Sequence, residues 1–264
     1  MILLKNEFYM KYPTDFVNKI ICGDVLDIIR DIPSNTIDLS VSSPPYNVGI
    51  KYDEHDDEMD WKKYEDWMNL IMVELYRILR DGGRVCWNIP SFSSRQNLYQ
   101  LSHKIFFNSG FNQYAEIIWD KKQISSRTAW GSFCSASEPN ILPRHEYILV
   151  FYKNTKNFGK GQSDISKEDF IKWTDGMWEI NPETKSDHPA PFPEELPQRL
   201  LQMFSYPENI VIDPFGGSGT VAYVAKKFNR KFIHIDISKK YCAEAKRRVQ
   251  SIPFLSDVKK HFDI

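Results

Sequence analysis

A chain of 264 residues with 42% hydrophobic and 26% charged residues has enough apolar material for a sizeable core, in one elaborated domain or a domain with a large insertion. The formal net charge of −1 carries no nucleic-acid signal when averaged. No apolar run approaches the roughly 20 residues that span a bilayer, and the first residues lack the basic, apolar and small-residue blocks of a secretory leader. The four cysteines, Cys22, Cys86, Cys134 and Cys242, stand without C-x-x-C pairing, which speaks against a zinc ribbon or disulfide framework and for a reducing cytoplasm.

In chain order, β-rich runs predict strands over 18–24, 37–43, 84–90 and 113–120. Between the second and third lies an amphipathic stretch starting at Trp61, with apolar positions at Trp67, Leu70, Ile71, Val73, Ile78 and Leu79; it predicts a helix that stops at Gly82-Gly83. A second helix is expected over 95–109, ending at Gly110. Alternating strands and helices argue for an α/β fold, a parallel sheet with helices on both faces. Before the first of these helices, residues 51–60 carry six acids against Lys51, read as a solvated loop. From 121 to 187 the helical period disappears and Ser, Gly, Pro, Asn and scattered aromatics predict an irregular insertion. Seven bases stand between Lys121 and Lys160 (Lys121, Lys122, Arg127, Arg144, Lys153, Lys156, Lys160) against Glu138 and Glu146. From 188 order returns: a helix near 194–205, a strand over 209–213, a glycine turn, a helix over 218–229, a strand over 231–236 and a helix over 238–250. His55, His103 and His145 lack the spacing of metal ligands, and no metal site is expected.

Two turns carry chemistry. Asp213-Pro214-Phe215-Gly216-Gly217-Ser218-Gly219-Thr220 follows an apolar strand and opens a helix, where glycines let a ligand approach the backbone and a helix N-terminus offers unpaired N–H groups. Asp236 ends the next strand, where a carboxylate suits ribose hydroxyls. Strand, glycine turn, helix, strand and acid make a nucleoside-binding half-unit. Gly217-x-Gly219-x-x-Ala222 also fits a dinucleotide fingerprint, so a nicotinamide-nucleotide enzyme stays open. Against it, a carboxylate at Asp213 repels a pyrophosphate and suits an ammonium group. Only 28 residues follow Asp236, too few to complete a sheet, so the remaining strands must come from earlier in the chain and the winding order is permuted. In that earlier half, Ser43-Pro44-Pro45-Tyr46 follows the strand IDLSVS. Prolines fix φ and carry no N–H, leaving a hydroxyl, a rigid carbonyl and an aromatic plane that suit a planar base with an exocyclic amine.

Together these motifs resemble the amino-methylating DNA methyltransferases of the β order, cytosine-N4 or adenine-N6, of restriction-modification type. In that family an S/D-P-P-Y motif comes first, a target-recognition region follows and D-P-F-x-G-S-G-T comes last. The resemblance covers roughly 18–120 and 185–250. It implies a Rossmann-like, S-adenosyl-L-methionine-dependent fold in permuted order, with a catalytic half over 1–120, a target-recognition region over 121–187 and a cofactor half over 188–264. Asp213 is then expected on the methionine amino group, with Phe215, Gly216, Gly217, Ser218, Gly219 and Thr220 against the cofactor. Asp236 falls on the ribose hydroxyls, Asp24 on the adenine edge and Phe192 at the methionine end. Ser43 and the Pro44 carbonyl would accept the amine's N–H groups, and Tyr46 would stack on a flipped base. Lys121, Lys122, Arg127 and Arg144 are the candidate contacts to double-stranded DNA. Ser at the first motif position is associated with cytosine-N4, with adenine-N6 the alternative. A companion restriction endonuclease would act separately, and the enzyme would be a monomer or homodimer in the cytoplasm. A silent DNA-binding module, or amine methylation of RNA or protein, also stays open. All of this requires the proline turn and the glycine turn, far apart in sequence, to line one cleft.

Overall fold

The apolar runs are collected into one eight-stranded sheet in the computed structural model, which describes residues 10–47, 58–91, 97–122, 131–141, 143–183 and 193–252. The strands lie in the order β1 (Lys19–Cys22), β8 (Lys231–Asp236), β7 (Ile210–Asp213), β2 (Ile37–Ser42), β3 (Leu79–Pro90), β5 (His145–Tyr152), β4 (Asn112–Asp120) and β6 (Met177–Glu179). Neighbours run parallel except β5, which is antiparallel to both β3 and β4. The predicted strands are all present, and those lying earlier in the chain complete the sheet.

Successive residues of a strand point to opposite faces, and the sheet has a core on each. Ile212, Ile233, Ile235, Val85, Trp87, Leu149 and Phe151 face a core closed by α1 (Val25–Ile29), α2 (Trp61–Ile78) and α3 (Leu98–Asn108). Val211, Phe232, Cys86, Ile148 and Val150 face the other, closed by α5 (Glu195–Phe204), α6 (Thr220–Lys227) and α7 (Lys239–Gln250), with Trp173 of α4 (Lys167–Trp173). Burial on both faces is why the central strands read as continuous apolar runs rather than alternating ones. Among the described residues no helix is long and apolar enough to cross a membrane.

The structure departs from the sequence reading in several places, the antiparallel β5 in a sheet expected to be parallel among them. Inside the stretch expected to be irregular, residues 145–152 form β5, whose Ile148, Leu149, Val150 and Phe151 are fully buried, and residues 167–173 and 177–179 form α4 and β6. The α2 stripe is rotated from the expected one: Tyr64, Met68, Ile71, Met72, Leu75 and Ile78 are buried, whereas Leu70 and Val73 are 58% and 53% exposed. That helix also ends at Ile78, not at Gly82-Gly83, because Leu79 is already extended and begins β3. Gly82, at φ +75°, serves an irregularity of the strand; a Cβ there would lie 2.2 Å from the Asn157 carbonyl oxygen.

From β2 the chain winds outward through α2 to β3, and from β7 it winds the opposite way through α6 to β8. β7 and β2 are parallel neighbours, Leu39 opposite Val211 and Ser40 opposite Ile212. Their junction is therefore a topological switch point, with a crevice beyond the strands' carboxyl ends. Both motif turns emerge there.

The segment after β5 is pinned to the second core by Arg230, whose side chain is fully buried. It forms a forked pair with Asp164, with Arg230 Nη2 to Asp164 Oδ1 at 2.8 Å, and it also donates to the carbonyls of Phe228 and Ser205. Removing the acid strands a buried guanidinium. Asp164→Ala is expected to lose roughly 3 kcal/mol of stability, read as a lowered urea midpoint at unchanged slope.

Candidate active site

The two turns meet through a buried hydrogen bond. Ser42, the last residue of β2, donates from Oγ to Asp213 Oδ1 at 2.6 Å across 171 positions of sequence, and the Phe215 N–H donates to the same oxygen at 3.1 Å. Asp213 is 5% exposed. Burial pushes its carboxyl up to about 7, against the lowering effect of those two hydrogen bonds and with a smaller upward push from the negative charge of Asp236. Among the described residues this carboxyl has no cationic partner, and its surroundings fit an ammonium ligand.

Beyond Asp213 the glycine turn lies flush on the sheet. A Cβ on Gly216 would come within 2.1 Å of His234 Nδ1, and one on Gly219 within 2.6 Å of the Ala245 Cβ. His234 is fully buried and pushed down to about 3 by burial, so it stays neutral; neither ring nitrogen has a hydrogen-bond partner among the described residues. Gly217 donates its N–H to Asp236 Oδ2 and Ser238 donates to Oδ1, both at 2.8 Å, so the acid ending β8 is oriented by the turn itself. Ser218 and Thr220 are buried. The Thr220 hydroxyl accepts from Arg248 at 3.0 Å, and the Phe215 ring packs edge-on against Trp67 and Trp87. Asp24 caps α1, accepting the Leu26 N–H at 2.8 Å; the next-door Gly23 N–H donates to the Asp236 carbonyl. Asp24, Asp236 and Asp213 thus stand at the carboxyl ends of three consecutive strands, β1, β8 and β7. Among the described residues no cluster of three or more His, Cys, Asp or Glu is arranged for a metal.

On the other side, the Pro45 carbonyl accepts from Tyr64 Oη at 2.8 Å, which ties the proline turn to α2. Ser43 Oγ lies 2.8 Å from Tyr46 Oη. Two residues outside the expected set complete this side. Asn88, near the end of β3, donates from Nδ2 to Glu146 Oε2 at 2.6 Å and to Tyr46 Oη at 2.9 Å, and Glu146, near the start of β5, lies 3.3 Å from Tyr46 Oη. The signal for Glu146 was the apolar run that follows it, EYILVFY, which is long enough for a strand. For Ser42 it was its place one residue before the proline motif.

The basic residues lie at the same edge of the sheet, since β4 runs parallel to β3 and β5 begins where β4 ends. Each has an acidic partner: Lys121 with Glu146, Lys122 with Glu179 at 2.6 Å, Arg144 with Asp120 at 3.0 Å. Lys153 is different. It is 6% exposed and donates to Asn35 Oδ1 and the Leu79 carbonyl, both at 2.8 Å, so it belongs to the interior and not to a basic surface. Arg127 and Phe192, and most of the acidic 51–60 run, lie outside the described residues; at its end Asp60 caps α2.

A family model described as DNA methylase, of the N6/N4 methyltransferase kind, matches residues 37–247. The type II methyltransferase M.MjaVI of Methanocaldococcus jannaschii is 42% identical over 172 residues, 64% of this chain and 88% of that protein. The DNA adenine methyltransferase YhdJ of Escherichia coli is 27% identical over 281 residues, 95% and 87% of the two chains. Among solved structures, a DNA modification methylase of Thermus thermophilus superposes with a TM-score of 0.72 at 26% identity, covering 89% of this chain and 96% of that one. A structure of that methylase complexed with S-adenosyl-L-methionine superposes with a TM-score of 0.70 at 24% identity, covering 89% and 94%.

The raised carboxyl of Asp213 has a consequence for pH. Between its ordinary 3.8 and about 7 the folded protein holds a proton that the unfolded chain has released, so this group's contribution is complete below about pH 4 and falls as pH rises toward 7. Asp213→Asn cannot ionise and removes that slope. In urea unfolding of the protein alone, the variant is expected to gain on the parent by roughly 1 to 4 kcal/mol from pH 4 to 7, with no further gain above.

Proposed function

Because the chain belongs to the N6/N4 family of DNA methylases, we propose that it transfers a methyl group from S-adenosyl-L-methionine to the exocyclic N4 amine of a cytosine flipped out of double-stranded DNA. The observation that carries this reading is the buried Ser42–Asp213 bond, which sets a site suited to a cationic cofactor beside one suited to an amine.

On the cofactor side, Asp213 pairs with the ammonium of the methionine portion, which stabilises its ionised form. Asp236, oriented by the backbone N–H groups of Gly217 and Ser238, receives ribose hydroxyls on its carboxylate oxygens, and Asp24 meets the adenine edge. Phe215, Gly216, Gly217, Ser218, Gly219 and Thr220 form the floor, and Phe192 borders the methionine end. When bound, the cofactor supplies a methyl group on a positively charged sulfur. On the base side, an amine conjugated with its ring is a weak nucleophile. Ser43 Oγ and the Pro44 carbonyl accept its two N–H groups, hold the nitrogen pyramidal and aim its lone pair; orientation, not a covalent intermediate, is what the residues provide. Tyr46 stacks on the base. Lys121, Lys122, Arg127 and Arg144 bind phosphates, Lys122 and Arg144 exchanging the carboxylates of Glu179 and Asp120 for them. With β5 and β6 committed to the sheet, the target-recognition part of 121–187 narrows to the stretches outside those two strands. The remaining segments are the catalytic half, 1–120, and the cofactor half, 188–264.

Ser43 in place of an acid favours cytosine-N4 in this family. Adenine-N6 is the second reading, favoured by the likeness to an adenine methyltransferase over 95% of this chain. DNA treated with enzyme and cofactor, digested to nucleosides and weighed by mass spectrometry, is expected to yield N4-methylcytosine. N6-methyladenine alone would overturn the cytosine assignment, and no methylated nucleoside would overturn both.

Two substitutions separate the sides. Ser43→Ala is expected to lower kcat roughly 100-fold with cofactor affinity by calorimetry unchanged. Asp213→Asn is expected to weaken the cofactor by about 2 kcal/mol or more, and to abolish the parent's rise in cofactor affinity as pH passes upward through 7.

A further inference from the structure

Given the proposed amine transfer, on which this inference rests, we infer that Glu146 is a positioning residue that acts through Tyr46 to turn the Ser43 hydroxyl, so that the serine oxygen faces the amine as an acceptor. A serine hydroxyl carries one proton and two lone pairs. It accepts from an N–H group only when its own proton is directed elsewhere, and nothing in the proline turn alone decides where that proton points.

The neighbours decide it. Ser43 Oγ and Tyr46 Oη are 2.8 Å apart, and either oxygen could be the donor in that pair taken by itself. Tyr46 Oη also lies 3.3 Å from Glu146 Oε2, and an ionised carboxylate only accepts. The phenol proton therefore goes to Glu146, and the phenol oxygen accepts from Ser43. Asn88 fixes the same order. Its amide nitrogen faces both Glu146 and Tyr46 Oη, at 2.6 and 2.9 Å; turned over, its carbonyl oxygen would oppose the carboxylate. Both of its Nδ2 protons thus run toward Tyr46 and Glu146, and the proton order is Ser43 to Tyr46 to Glu146. Lys121 pairs with the other carboxylate oxygen, and the Glu146 side chain is only 13% exposed. Low exposure strengthens the orientation of each hydroxyl in the chain. Three elements supply the parts: Tyr46 from the turn, Asn88 from β3, Glu146 from β5.

The test is a double-mutant cycle on the full-length enzyme with a DNA substrate that the parent methylates. Glu146→Gln keeps shape but not charge, and Tyr46→Phe keeps the ring but not the hydroxyl. Each is expected to lower kcat on the order of 100-fold, with cofactor affinity and DNA affinity within about twofold of the parent. The double variant is expected to be no worse than either single one, because both break the same chain. Multiplying losses, a defect confined to KM or cofactor affinity, or parental kcat in either variant would overturn the inference. Should Glu146→Gln fail to fold, Tyr46→Phe alone decides: full activity without the phenol hydroxyl refutes the relay. A parent enzyme that makes no methylated amine would overturn the reading beneath it, whereas a parent that makes one while both variants match it would overturn only the role of Glu146.

Discussion

A carboxyl group buried at the end of one strand and the hydroxyl buried at the end of its neighbour hold this molecule's two motifs together. Ser42 and Asp213 are 2.6 Å apart although 171 residues separate them. Hydrophobic packing alone would not need an acid there, since desolvation raises its pKa to about 7 and works against its charged form. The arrangement makes sense as a site left one positive charge short. The parallel pairing of β2 and β7 determines everything downstream of it, because it brings both turns out on one edge and sends their following helices to opposite sides.

That pairing also explains why the order of the halves along the chain does not matter to the site. The sheet is read across its width as β1, β8, β7, β2, β3, and the chain visits the middle of that series last and its flank first. Parallel strands joined by helices need only local crossovers of fixed hand, so the same crevice forms whichever half is synthesised first. What must be preserved is the switch point, where connections leave in opposite directions, and the chain keeps it.

The parts legible in the sequence were those whose physics is local. A glycine turn after an apolar strand and a proline turn after another announce themselves, because backbone freedom at Gly217 and Gly219 and rigidity at Pro44 and Pro45 are properties of single residues. The permuted winding showed in the order of the two turns, the proline turn at 43–46 preceding the glycine turn at 213–220. What was not legible depends on partners distant in sequence. The periodicity of α2 established a helix but not which way it faced, and Leu70 and Val73 turned out exposed. β5 was hidden among turn-forming residues, and its antiparallel place between β3 and β4 is a tertiary fact. Lys153 looked like surface charge until its carbonyl partners in the interior were known. Glu146 carried no motif at all; only its neighbours give it meaning.

The consecutive serines at the end of β2 show how tightly the two sides are set by one register. Ser42 sends its hydroxyl toward β7 and the acid of the glycine turn, while Ser43, one residue on, sits with Tyr46 and the polar ends of β3 and β5. Each therefore answers to a different carboxylate, Asp213 directly and Glu146 through a phenol. A slip of β2 by a single position would reverse which side each faces, placing a proline-bound residue against the buried acid and withdrawing the Ser43 hydroxyl from Tyr46. The pairing of Ser40 with Ile212 on one flank and with Val85 on the other forbids that slip. The chemistry of the crevice is thus fixed several residues away, by β-ladder contacts that touch neither ligand.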